Sequence, residues 1–235
     1  VVDNRQELHF NQVFRAPYKS NIAPSDTKLQ FLGFGTINGQ DGKPFKTREG
    51  GVMSLPSLID LVNEETYKKL NPSITDELEK KSIARTIALS AIKYADLIPY
   101  RSTDYIFDPN KFSDLEGKTG PYLLYSTIRM KSLLKKANEF NIDFTVIKKL
   151  KNEYDKEVML NIMNFPLVLT KSYEAKSLND VTDYIYKLTS SYNKFYSENR
   201  IITEEDIELR SSWLALTKLV LDINLLLLNI LAIDC

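Results

Sequence analysis

Cysteine and histidine are almost missing from this chain: Cys235 and His9 are the sole representatives among 235 residues. One thiol excludes an internal disulfide and suits a reducing compartment, the cytoplasm. One imidazole, with no second histidine or nearby cysteine, excludes a Cys/His metal cluster and leaves His9 without a partner for a nucleophilic triad. Net charge is missing too, since 31 basic residues face 31 acidic ones. Attraction to a polyanion must therefore come from local clustering and not from the field of the whole molecule. No secretory signal is visible at the N-terminus. No uninterrupted run of membrane length occurs either: the most apolar segment, 213–233, is broken by Lys218, Asp222, Asn224 and Asn229. It reads as a packed helix, so no membrane is expected as a partner. No internal repeat of fixed period appears.

What is present suits a soluble, mainly helical protein. Hydrophobic residues make up 43% and charged residues 26%, enough for one or two cores, and the length accommodates two domains. Residues 1–50 read as short elements joined by glycine-bearing loops, the tail of an α/β nucleotide-binding fold. Val1-Val2 reads as the start of a buried strand and Leu29–Phe34 as a second. From Leu55 the pattern turns helical. Asn71-Pro72-Ser73 breaks one helix and Thr75 opens the next, where Ala84, Ile87, Ala88, Ala91, Ile92 and Ala95 recur as a small-residue face. Turn formers between Ile98 and Lys118 mark a linker. Beyond it Gly120-Pro121 opens a helix, another spans 144–164 and stops near Pro166, Ser177 caps a third, and Thr203 with Asp206 caps the last. A four- or five-helix bundle packs these segments economically.

The scarce glycines gather in one place. Gly35-Thr36-Ile37-Asn38-Gly39-Gln40-Asp41-Gly42-Lys43-Pro44-Phe45-Lys46-Thr47-Arg48-Glu49-Gly50-Gly51 combines flexible backbone with Lys43, Lys46 and Arg48. Backbone N–H groups and fixed positive charge are what a triphosphate or pyrophosphate needs, although a solvated basic loop has the same composition. A Walker-type loop is excluded, because Ile37 stands where its first glycine belongs and Pro44 where its Ser or Thr belongs. A dinucleotide fingerprint is excluded by the spacing around Gly33 and Gly35.

The run Gly42-Lys43-Pro44-Phe45-Lys46-Thr47-Arg48-Glu49-Gly50-Gly51 resembles the catalytic loop of arginyl-tRNA synthetases. Three further segments are similar to that family in the same order: Val1–Phe14, Ala91–Leu97, and Asp104–Asp108 with Glu116–Tyr125 and Arg129. The resemblance covers essentially the whole chain. It implies a remnant of a Rossmann-like class I catalytic domain over 1–110, followed by an all-α anticodon-binding domain over 111–235. The chain opens on Val-Val without Met and, with one histidine, cannot contain the His-x-Gly-His motif of the class. The resemblance thus implies the C-terminal part of a longer synthetase, inactive by itself. It further implies ATP, with Mg2+, arginine and tRNA(Arg) as substrates, no tightly bound cofactor, a cytoplasmic location and a monomer.

Carried over by motif position, Lys43, Lys46, Thr47 and Arg48 are the catalytic candidates, placed to offset charge as arginine's carboxylate attacks the α-phosphorus of ATP. Pro44 stands where the more usual loop has its first lysine. Gln6 matches an arginine-binding position, and its amide can both donate and accept. His9, Gly35, Thr36, Ile37 and Lys46 match ATP-binding positions, the backbone at 35–37 facing the adenine edge. Tyr122, Tyr125 and Arg129 match anticodon contacts. They share one helical face, in a stretch from Gly117 to Asn138 that holds Lys118, Arg129, Lys131, Lys135 and Lys136 and no acid. Tyrosines there offer stacking platforms for unpaired bases, or else are half-buried core with hydroxyls at the rim. Later tyrosines (Tyr173, Tyr184, Tyr186, Tyr192, Tyr196) read mostly as bundle core and edge. Two rival readings remain: a non-catalytic tRNA-binding module from a truncated relative, and a helical scaffold for another protein.

Overall fold

The structure, a computed structural model, describes residues 1–39, 42–43, 53–70, 75–106, 108, 114 and 116–235. The chain divides into two compact units, Val1–Met53 with Pro99–Asp108, and Ser54–Ile98 with Pro109–Cys235. The helical segment 54–98, grouped by sequence with the first domain, thus packs with the later helices.

The first unit is built on two parallel strand pairs. β1 (Val2–Asp3) pairs with β2 (Gly33–Phe34) in the register Val2 to Gly33. Parallel strands need a crossover, and α1 (Glu7–Lys19) supplies it. A 3-10 turn at Asn4–Gln6 leads into α1, its first turn capped by the Asp3 carboxylate. β3 (Ile37–Asn38) pairs with β4 (Tyr105–Ile106), with Ile37 opposite Tyr105. The predicted linker therefore contains a strand. Its pairing partner lies 68 residues earlier, beyond the reach of local turn signals. Of the predicted strand Leu29–Phe34 only Gly33–Phe34 joins a ladder, and Val1 is 87% exposed, so the first strand begins at Val2 and is not buried at its start. Two glycines are fixed by close approach: a Cβ on Gly33 would stand 1.9 Å from Asn4 Oδ1, and one on Gly35 would stand 2.5 Å from the Thr103 carbonyl.

The second unit is a helical bundle. α2 (Leu55–Lys69) starts on Ser54, and α3 (Glu77–Leu97) on Asp76, whose carboxylate accepts from the N–H groups of Leu78 and Glu79. Asp76 takes the role expected of Thr75 because a carboxylate accepts two such bonds at once. The alanine face of α3 is buried as expected, and the first residue of α4 (Gly120–Glu139) lies against it: a Cβ on Gly120 would sit 2.2 Å from the Ser90 carbonyl oxygen. α5 (Glu153–Met163), α6 (Phe165–Ala175), α7 (Asn179–Glu198) and α8 (Ile207–Ile230) follow. The predicted helix over 144–164 begins only at Glu153 but ends at Met163, near Pro166 as expected, and Pro166 itself sits in the first turn of α6, where a missing N–H costs nothing. Ser177 does not cap α7: its hydroxyl donates to Asn179 Oδ1. Asp206 caps α8, while Thr203 lies in a separate 3-10 turn.

The core is centred on α8. Trp213, Leu214, Leu216, Val220 and Leu227 pack against Ile185, Leu188, Tyr192 and Phe195 of α7 and Leu123, Met130 and Leu134 of α4. α8 is long and apolar enough to cross a membrane, with mean hydropathy 1.6, but 61% of that window is buried within the protein.

Candidate functional site

In parallel sheets, ligand crevices open where the chain leaves the carboxyl ends of the strands. β1, β2 and β3 all release the chain around one polar hollow of 390 Å³, lined by Asp3, Asn4 and Arg5, Phe34 to Thr36, Asn38, Gly42, Ser102 and Asp104. The Asp3 carboxylate accepts from Arg5 at its backbone N (2.8 Å), Nε (3.0 Å) and a terminal guanidinium nitrogen (2.6 Å). Those hydrogen bonds hold the Asp3 carboxyl down at about 2 and push Arg5 up, with Asp104 adding to the latter. Arg101 donates to the Gly33 carbonyl at 2.6 Å, and Asn4 Nδ2 to the Ser102 carbonyl at 2.9 Å. These two bonds tie the 101–104 segment to the strand ends.

Gly35 and Thr36 line this hollow, but their N–H groups are already engaged. Gly35 donates to the Arg101 carbonyl at 2.9 Å and Thr36 to Asp104 Oδ1 at 2.7 Å. Adenine contacts there would require Arg101 and Asp104 to yield. Ile37 is half-buried in β3. Gln6 is exposed at the start of α1, immediately after the lining residues Asn4 and Arg5, without a side-chain cap bond. His9 is exposed on α1, its ring edge-on to Phe10 at 5.5 Å. Lys43 is exposed, and its carbonyl accepts from Gly39 at 2.8 Å across a loop in which Gly42 takes φ +71°. Lys46, Thr47 and Arg48 lie outside the described residues. Among the described residues no group of three or more His, Cys, Asp or Glu side chains could hold a metal ion.

The second candidate surface lies on α4 and α7. Arg129 lies over two rings, 4.8 Å from the centroid of Tyr125 and 5.2 Å from that of Tyr196. It donates to Asn193 Oδ1 at 3.3 Å, while Asn193 Nδ2 donates to the Tyr122 and Ser126 hydroxyls, both at 2.8 Å. Tyr122 is half-buried against Tyr186, centroids 5.6 Å apart, whereas Tyr125 is 52% exposed. The three predicted residues are thus brought together with different burdens: Tyr122 packs, Tyr125 faces solvent, and Arg129 joins them to α7. A hollow of 220 Å³ beside this stack is lined by Arg129, Ser132, Leu133, Lys136, Tyr196 and Ile202.

Sequence reasoning missed Tyr196 and Asn193 at this surface, and Asp3, Arg5 and Asp104 at the first. Their α7 spacing carried a usable signal. Tyr186, Asn193 and Tyr196 are seven and three residues apart, which places them on one face of a helix. Nothing in the sequence said that this face meets α4.

Residues 1–109 match the family model for tRNA synthetases class I (R), catalytic domain, and residues 123–235 that for the DALR anticodon binding domain. The arginine–tRNA ligase of Alkaliphilus oremlandii is 43% identical over 237 residues, covering 100% of this chain and 40% of the relative. Those of Agathobacter rectalis and Francisella tularensis subsp. novicida are each 40% identical, covering 95% and 92% of this chain and 39% and 37% of the relatives. The chain therefore spans about two-fifths of the length of these curated relatives. Among solved structures, the arginyl-tRNA synthetase of Plasmodium falciparum superposes with TM-score 0.77 at 24% identity, covering 99% of this chain and 40% of that one. The Thermus thermophilus enzyme gives 0.72 at 19%, covering 86% and 34%. These two carry the fold, mostly helical with a few short strands, and the sequence relatives carry the rest: the chain belongs to the arginyl-tRNA synthetase family, matching its C-terminal portion.

Proposed function

We propose that this chain supplies the phosphate-loop side of the aminoacylation site and the anticodon-binding face of a cytoplasmic, monomeric arginine–tRNA ligase. The reaction joins arginine's carboxylate to the α-phosphorus of ATP with loss of pyrophosphate, then passes the arginyl group to the terminal ribose of tRNA(Arg). ATP enters with Mg2+. Lys43, Lys46, Thr47 and Arg48 offset the triphosphate charge that builds as pyrophosphate leaves, Gln6 binds arginine, and His9 meets ATP together with the 35–37 backbone once Arg101 and Asp104 release the Gly35 and Thr36 N–H groups. The strand-ended hollow at Asp3–Arg5 and Gly35–Thr36 supports this assignment, because its lining includes Arg5, the neighbour of Gln6, and Gly42, the neighbour of Lys43.

The observation that carries the reading is the placement of Arg129 beside Tyr125 and Tyr196, in a stretch from Gly117 to Asn138 with five cations and no acid. An exposed ring beside fixed charge suits an unpaired base and its phosphate, and each base stacked on an aromatic ring contributes about 1–3 kcal/mol. The test is titration of the chain with a tRNA(Arg) transcript and with the same transcript altered in the anticodon. The expected result is weaker binding of the altered transcript, and about tenfold weaker binding of tRNA(Arg) by Tyr125→Ala with unchanged thermal stability. Tyr122→Ala should lower stability as well, since its hydroxyl and ring are both engaged. Equal affinity for the two transcripts removes the anticodon assignment. Because the chain holds no His-x-Gly-His motif, it should show no pyrophosphate exchange with arginine, ATP and tRNA by itself.

A further inference from the structure

Asn193 is half-buried on α7, facing three partners on α4. The orientation of its amide is dictated by chemistry. A guanidinium has no acceptor, so the atom turned to Arg129 must be the oxygen, and the NH2 group is left to face the two hydroxyls of Tyr122 and Ser126. Both of those are themselves fixed: Ser126 is fully buried, and Tyr122 is pinned against Tyr186. The amide is therefore held from one side by immobile groups and holds Arg129 on the other.

That matters because of what the tyrosines leave of Arg129. With its Cζ 4.8 Å and 5.2 Å from two ring centroids, the guanidinium is bordered by aromatic surface, and what it offers a ligand's acceptors is its N–H edge. One N–H on that edge goes to Asn193, which selects a single rotamer of a long side chain that otherwise samples many and loses that freedom on binding. Arg129 also lines the hollow it shares with Lys136 and Tyr196. An edge fixed in this way suits paired in-plane acceptors, as on a phosphate or a nucleobase rim.

We propose that Asn193 is a positioning residue for tRNA binding: it acts through Arg129, locking the Tyr125–Arg129–Tyr196 stack in its binding geometry. This rests on the reading of the α4–α7 face as the tRNA surface. Asn193 carries no charge, so its removal alters how Arg129 is presented and not how many cations the face holds.

The experiment is a double-mutant cycle on the full chain, with Arg129→Ala, Asn193→Ala and both together, each titrated with tRNA(Arg) over a range of salt concentrations. Arg129→Ala should weaken binding about tenfold or more and make the salt dependence shallower. Asn193→Ala should weaken binding roughly fivefold while leaving the salt slope unchanged. In the Arg129→Ala background, removing Asn193 should have no further effect. A purely structural role would act equally in both backgrounds, and that additive result overturns the proposal while leaving the tRNA surface intact. Wild-type affinity in Arg129→Ala instead removes the surface itself. Should Asn193→Ala fail to fold, Tyr122→Phe releases the amide from one anchor and replaces it in the cycle. Its effect must likewise vanish without Arg129, and an effect that persists there counts against Asn193.

Discussion

At the scale of single residues, the least expected feature is Asp155. It is 0% exposed and accepts from Trp213 Nε1 at 2.9 Å, from the Lys151 backbone at 2.7 Å and from the Asn152 backbone at 3.2 Å. Lys151 lies over the Trp213 ring at 5.6 Å and pairs with Glu204 at 3.1 Å, closing the surface above. Each buried donor left without an acceptor costs about 1–3 kcal/mol, so Asp155→Ala should destabilise the bundle by roughly 3 kcal/mol or more. Urea denaturation would show a lower midpoint at unchanged slope. Trp213→Phe does not orphan the carboxylate, which keeps two backbone donors, and its cost should be mainly lost packing. None of this was legible in the sequence. Asn152-Glu153-Tyr154-Asp155-Lys156 reads as the polar middle of the helix expected over 144–164, and the residue that makes Asp155 special lies 58 positions away. Tyr122, Tyr125 and Arg129 were legible because their relation is one of helical spacing, local to one element. Asn193 was not, because its role depends on which face of α7 meets α4.

At the scale of elements, what the sequence disclosed was existence and what it hid was boundary. The helix expected over 144–164 has the right apolar spacing, yet residues 144–152 are not helical. The N–H groups of Lys148 and Lys149 instead donate to Ser212 Oγ, at 3.0 and 3.1 Å, and Ser212 in turn donates to the Glu208 carbonyl. A tertiary acceptor on α8 thus takes the bonds a longer helix would have used, and tertiary context overrides local preference. The start of α5 is then set by a capping box: Asn152 Oδ1 accepts from Tyr154 and Asp155, while the Asp155 side chain accepts from the Asn152 backbone. Asn152 Nδ2 also reaches Asn199 Oδ1 at 2.7 Å. Asn152→Ala should therefore cost about 2 kcal/mol, the upper end for an N-cap, whereas Asp76→Ala at the exposed start of α3 should cost about 1 kcal/mol. Paired urea melts check the order, and equal costs would mean that the bond to Asn199 contributes nothing. The stop near Pro166 was legible, but the helix that begins there was not. Proline marks a boundary, but whether it ends one helix or begins the next is decided by the residues on both sides.

At the scale of the whole chain, the two units are held by different means, and pH should separate them. Every buried hydrophobic side chain among the described residues belongs to the bundle unit. The other unit has two-residue strands and an α1 without a buried residue, so at neutral pH its amides should exchange with solvent before those of the bundle. The tyrosines add a second distinction. Burial pushes the phenols of Tyr94 and Tyr192 far above their usual range, and that of Tyr184 up to about 12. All three lie in the bundle, where Tyr94 donates to the Thr182 carbonyl at 2.8 Å and Tyr192 to Thr217 Oγ1 at 3.4 Å. The folded bundle keeps these protons while the unfolded chain gives them up near pH 10, so their stabilising contribution is complete below about pH 10 and drains away above it. For Tyr94 and Tyr192, each 0% exposed, the loss between pH 10 and 11 amounts to about 1 kcal/mol apiece. Tyr94→Phe with Tyr192→Phe should flatten that alkaline limb by about 2 kcal/mol, measured by urea denaturation of the bundle at pH 8, 10 and 11. Asp3 works in the opposite direction and in the other unit. Its carboxyl is held at about 2 by Arg5, so that contribution is present above its usual value near 3.8 and disappears as pH falls through 2. The first unit should therefore respond to acid at Asp3, and the three phenols that give the bundle its alkaline limb all lie outside it. An alkaline limb that persisted unchanged in the double phenylalanine variant would show that these hydroxyls are not what the bundle protects.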